Sequence, residues 1–235
     1  MELLDVQSLC HAFKRSTSHN LILLVLIAMT VLPGCSLAVM AGKMFFDDPK
    51  MKSVFREATG TDLTDGEKSI LIACSTSHQI LSKHPGIRID IVDKMSRILD
   101  TRHVRMIPAD DVAKWFDDHG DWGDFSELAA SFDADYVMHI DLKTFSVEVP
   151  DSPNLLQGKA DGRVSMMEVK LSGRNKDKKA AVTVIERPFK VMFPTTYPIP
   201  RESRSEEMFT ENFLDRISAQ LSRMLYDHRA SDIEL

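Results

Sequence analysis

Apolar positions change their period along this chain, and each period predicts a different element. Leu21 to Leu32 is a charge-free run that stops at Pro33 and Gly34, with Cys35 next. "KSILIACST" (68–76) is a short continuous apolar run rich in β-branched residues and bounded by polar ones, the pattern of a buried strand. After a Pro-Gly turn, Ile87, Ile91, Met95, Ile98 and Leu99 recur at helical spacing and predict an amphipathic helix. "HVRMI" (103–107) predicts a short strand, and Pro108 then opens a helix with early acids that ends at Gly120.

The second half reads differently. A helix over about 124–132 and a turn at Asp133–Asp135 lead into a long strand from Tyr136 to Val149. "DSPNLLQG" (151–158) predicts a turn, "KADGRVSMMEVKL" a second strand, "SGRNKDKK" a charged turn, and "AAVTVIERPFKVMF" a third strand whose Pro188 belongs at an edge or a bulge. Ser203 and Glu206 form a capping box before a helix with Phe209, Phe213, Ile217, Leu221, Met224 and Leu225 on one face. The expected fold is therefore α/β (α+β): strand, helix, strand, helix, helix, a three-strand antiparallel meander and a C-terminal helix, forming one mixed sheet packed by helices.

The N-terminal run is too short to span a bilayer, which takes about 20 apolar residues. Lys14 and Arg15 precede it, so the segment reads as an export signal over residues 1–34. The residues before Lys14 leave a later starting methionine open. Leu32-Pro33-Gly34-Cys35 resembles the lipobox of bacterial lipoproteins. That resemblance implies a diacylglycerol on the Cys35 thiol, cleavage just before it, and usually an acyl chain, such as palmitate, on the new amino terminus. Ser36, where aspartate would imply inner-membrane retention, implies the outer membrane. Two or three acyl chains, at about 0.8 kcal/mol per buried CH2, anchor a domain stably where one holds marginally. Residues 35–67 then read as the lipidated cysteine, a tether poorly ordered before Asp47 and a short helix near Met51–Ala58, and residues 68–235 as a single periplasmic domain.

Composition narrows the partners. A formal charge of −6 with acids and bases intermixed argues against nucleic acid. Of three cysteines, Cys10 lies in the signal and Cys35 takes lipid, so Cys74 alone remains and reads as a small buried hydrophobe. The element order, with "ELAASFDADYVMHIDLKTF" and "GKADGRVSMMEVK", resembles the periplasmic α/β domain shared by the amino-terminal part of TolB, the curli-secretion lipoproteins and the lipoprotein activators of penicillin-binding proteins. Phe132 and Asp133 replace the small residues usual there before Ala134-Asp135-Tyr136. The resemblance implies fold and compartment, and also fits an uncharacterised lipoprotein group.

Candidate chemistry is sparse. His139 and Asp141 alternate on a strand and face one way, the start of a metal site that lacks a third ligand. "DDHGDWGD" around His119 lacks the acid order of a calcium loop. Ser75, Ser77 and His78 follow the first strand, where α/β folds often bind ligands, but without a nucleophile elbow. No enzyme, metal or cofactor is expected. The expected role is a lipid-anchored, non-catalytic cell-envelope protein that binds an unidentified envelope protein or self-assembles; the alternative is a periplasmic metal-dependent hydrolase using His139 and Asp141. Trp122, Phe193, Tyr197 and Arg201 are the candidate interaction residues, although the Pro-rich stretch holding the last three also reads as a connector that packs its own aromatics. The strand turns are too polar for a membrane-inserting pore hairpin.

Overall fold

The computed structural model describes residues 48–120, 125–172 and 178–233. The chain divides into two units, Met1–Pro49 and Lys50–Leu235. All the elements below lie in the second. The signal, Cys35, the tether before Asp47 and Trp122 lie outside the described residues.

A short strand β1 (Lys50–Met51) pairs antiparallel with β8 (His228–Arg229). Between them in sequence come α1 (Val54–Thr59), β2 (Ser69–Thr76), α2 (His78–Lys83), α3 (Ile87–Asp100), β3 (Arg105–Met106), α4 (Ala109–His119), α5 (Phe125–Phe132), β4 (Tyr136–Val149), β5 (Ser152–Ser172), β6 (Lys178–Phe193), β7 (Ile199–Pro200) and α6 (Glu206–Ser222). The main sheet runs β3-β2-β4-β5-β6, with β7 added against β5. β2 is parallel to β3 and β4, and the β4-β5-β6 meander is antiparallel. The sheet is mixed, as expected.

Two apolar layers enclose β2, which is why it reads as a continuous apolar run. Ile70, Ile72 and Cys74 pack with α3 and α6 on one face, while Leu71 and Ala73 pack with Val112 and Trp115 of α4 and Leu128 and Ala129 of α5 on the other. The C-terminal helix seals the first face: Phe209, Phe213, Ile217 and Leu221 are fully buried. No helix among the described residues is long and apolar enough to cross a membrane.

Several expectations need correction. The turn foreseen over 151–158 is confined to Pro150 and Asp151, with Asp151 left-handed at φ 59°, and β5 starts at Ser152 so that Leu156 is buried. The cap of α6 is Ser205, whose Oγ accepts the Met208 N–H at 3.3 Å; Ser203 instead donates to the Pro200 carbonyl. Pro188 does sit on an edge strand, β6, as expected. α2 was not foreseen; Ser77 caps it. α1 follows the expected short helix, and its Phe55 is fully buried, edge-on to Tyr136, so the unit begins at Lys50, ahead of residue 68.

Candidate functional site

The polar residues picked out by the sequence gather at the C-terminal end of β2. Parallel register sets Ala73 beside His139 and Ser75 beside Asp141. Ser75 Oγ lies 2.7 Å from His139 Nε2, and the Phe125 ring covers the imidazole at 4.7 Å between centroids. Burial holds the His139 pKa below the ordinary histidine range, against the pull of Asp141. Asp141 pairs with Lys143 and stands opposite Arg163 on β5. Arg163 in turn pairs with Glu186 of β6. The result is a charged ladder across the meander, each charge answered by the next.

His139 and Asp141 therefore share a face, as strand alternation requires, but their neighbours there are a hydroxyl and cations. Among the described residues no three His, Cys, Asp or Glu side chains come close enough to hold a metal ion. His119 lies stacked on Trp115 with ring centroids 4.2 Å apart and its Nδ1 2.9 Å from the Trp115 carbonyl, and so closes the last turn of α4. Cys74 is buried on the opposite face from His139, and burial pushes its thiol up to about 12. Such a thiol stays protonated and unreactive.

A second feature lies at the other edge of β2. β3 covers only Ser69 and Ile70. The Ile107 N–H then donates to the Ile70 carbonyl at 3.0 Å, and Pro108 ends the pairing before α4 begins. Where β3 would run on beside β2 there is a narrow groove of about 80 Å³. Its floor is Ile72, Ala73 and Cys74, one wall is Arg88, Ile89 and Val92 of α3, and the other is Ala109, Val112, Ala113, Phe116 and Asp117 of α4. Ile89 is 53% exposed at the rim. α3 and α4 belong to opposite layers of the sheet, so the groove opens between the layers in the plane of the strands.

Main-chain direction adds to this. The Ser69 carbonyl accepts from Asp135 on the β4 side and the Ile70 carbonyl from Ile107 on the β3 side. Alternation then aims the amides and carbonyls of Ile72 and Cys74 into the groove. Strand pairing on that side reaches no further than Ile70 among the described residues. Ile72 is 1% exposed, so these are main-chain polar groups in a largely dry place.

The expected interaction residues fall elsewhere. Phe193 packs on Phe209 at 5.5 Å, within the core fringe. Arg201 is held by Glu148 at 3.1 Å, by Glu206 and by the Pro153 carbonyl at 3.0 Å, so it fastens the α6 entry to the meander. Tyr197 is 80% exposed. Trp122 and Cys35 lie outside the described residues. Sequence reasoning missed the groove residues Ile89 and Ala113; the short strand before Pro108 was the signal, because a proline there cuts the edge strand short.

No family model matches the chain, and no curated protein matches it. Solved structures similar to it include the lipoprotein GNA1162 from Neisseria meningitidis, at 10% identity and a TM-score of 0.40, covering 66% of this chain and 98% of that one. A PelC dodecamer from Paraburkholderia phytofirmans is 12% identical with a TM-score of 0.37, over 77% of this chain and 97% of that one. The hypothetical protein CT253 from Chlamydia trachomatis is 13% identical with a TM-score of 0.39, over 67% and 92%.

Proposed function

We propose that this chain is a bacterial lipoprotein, anchored through lipid on Cys35 and exposed to the periplasm, whose domain binds another envelope protein without performing catalysis. The sequence order of Lys14-Arg15, the apolar run and Leu32-Pro33-Gly34-Cys35 supports the anchor and, with Ser36, the outer membrane. The observation that carries the binding role is the groove between α3 and α4, a mostly apolar cleft with Ile89 exposed at its rim. The polar cluster supports a structural role, because Ser75, His139 and Asp141 are drawn into contacts within the domain.

Two measurements test this. Cys35→Ala leaves an unprocessed precursor or frees the domain from the membrane fraction, whereas a variant that matures and sediments like the wild type contradicts the anchor. Metal analysis of the purified chain tests the non-catalytic role. Stoichiometric zinc or manganese, lost in His139→Ala, would favour the hydrolase reading instead.

A further inference from the structure

We infer that the β1–β8 ribbon is a lipid-contacting surface: it rests on the anionic phospholipid headgroups of the membrane that carries the anchor, and so holds the domain against the bilayer. This rests on the lipid anchor proposed above and names the surface that the anchored domain turns to the membrane.

Position in the chain comes first. Residues 36–49 lie between Cys35 and Lys50, a reach of at most about 50 Å. Leu37, Val39, Met40, Met44, Phe45 and Phe46 make much of that stretch apolar, and such a composition favours the membrane interface over water. The chain therefore enters the domain at β1 from the membrane side. Charge comes second. Lys50 stands directly opposite Arg229 in the ribbon, so two cations leave on one face, a pairing that destabilises a ladder unless an anion answers it. Lys50 and Lys52 are exposed and form no ion pair among the described residues. Arg102, over the Tyr226 ring at 4.8 Å, adds a further exposed cation beside β8. The neighbouring acids are turned inward: Asp227 takes the Ser53 N–H and Arg56, Asp62 takes Arg56 and Thr64, and Asp232 takes the Arg229 N–H. The ribbon thus offers positive charge in a chain whose formal charge is −6. Met51, 44% exposed between the two lysines, supplies an apolar side chain for the acyl boundary. Rigidity comes third. Phe55 is fully buried and its N–H donates to the Met224 carbonyl, so a force on β1 orients the whole domain.

The test takes the full chain purified from membranes into bilayers of phosphatidylcholine with phosphatidylglycerol, or of phosphatidylcholine alone, each doped with a lipid whose headgroup is photo-reactive. Adducts are mapped by peptide mass spectrometry. Docking predicts adducts on the peptide holding His228 and Arg229, far along the chain from the anchor, well above those on the peptide of Tyr197, which is 80% exposed. They should fall roughly fivefold or more without phosphatidylglycerol, and likewise when Lys50→Gln and Lys52→Gln are combined. Equal β8 adducts in the two bilayers, equal β8 adducts in the double variant, or no excess over the Tyr197 peptide overturns the proposal. Adducts on residues 36–47 read the anchor separately. If they form while β8 stays unlabelled, docking falls and the anchor stands; if neither forms, both fall.

Discussion

The carboxylate of Asp135 accepts the main-chain N–H of Ser69 at 2.9 Å, joining the start of β4 to the start of β2 across 66 residues. The same group takes the Ser69 hydroxyl at 3.2 Å and the Lys68 ammonium at 2.9 Å. Burial opposes its ionisation, yet the bonds from Ser69 and Lys68 outweigh burial and hold its pKa below the usual carboxylate range. The acid of the Ala134-Asp135-Tyr136 entry is therefore a latch that sets the parallel register. Asp135→Ala should destabilise the domain by about 1–3 kcal/mol, because it leaves the Ser69 N–H without its acceptor. Asp135→Asn should recover part of that loss. Denaturant unfolding of the two variants checks the order, and equal stability of Asp135→Ala and wild type would contradict it.

Gly162 permits a close approach that any side chain would block. A Cβ there would sit 2.2 Å from the Asp141 carbonyl oxygen and 2.8 Å from the Phe189 ring, next to the bulge between Leu142 and Thr144. Gly162→Ala should cost about 1–3 kcal/mol through overpacking. Thermal melting checks it, and an unchanged melting temperature would show that the strands separate there without strain.

Phe213 locks α6 to the meander. It is fully buried, stacks on Phe145 at 5.3 Å, and lies against Gly158, where a Cβ would meet its ring at 2.5 Å. Phe213→Ala should destabilise by about 3–5 kcal/mol. A helix that serves only as a detachable tail would tolerate the change with no loss of melting temperature.

Acid sensitivity follows from His139 and His84, both of whose pKa values burial depresses. The unfolded chain binds these protons more readily, so stability is full above about pH 6.5 and declines as pH falls toward the lower folded values. His139→Gln should flatten the fall in melting temperature between about pH 7 and 5, leaving the His84 share. A steeper fall in the variant would contradict the burial argument.

Much of this fold is legible from local pattern. β2 is buried from Ser69 to Cys74 because two helical layers cover it, and α6 carries Phe209, Phe213, Ile217 and Leu221 at the spacing the sequence displays, while Met224 and Leu225 fall just past its end at Ser222. Local chemistry was less decisive at the entry to α6: Ser203 with Glu206 has the spacing of a capping box, yet the helix starts two residues later, with Ser205 as its cap. Contacts between distant strands were not legible. Ser75 meets His139 only through the β2–β4 register, 64 residues apart, and no local period reports that register. The groove depends on a comparison between elements, since β3 stops at Met106 while β2 runs on to Thr76.

The most direct measurement of the central claim is photo-crosslinking in intact membranes, with a photo-reactive residue placed at Ile89 on the groove rim or at Lys190 on the open face of the meander. The account predicts a discrete adduct from position 89, lost when Ala113→Trp fills the groove, and none from position 190. An adduct from 89 that persists in Ala113→Trp, or adducts from 190 alone, would contradict it.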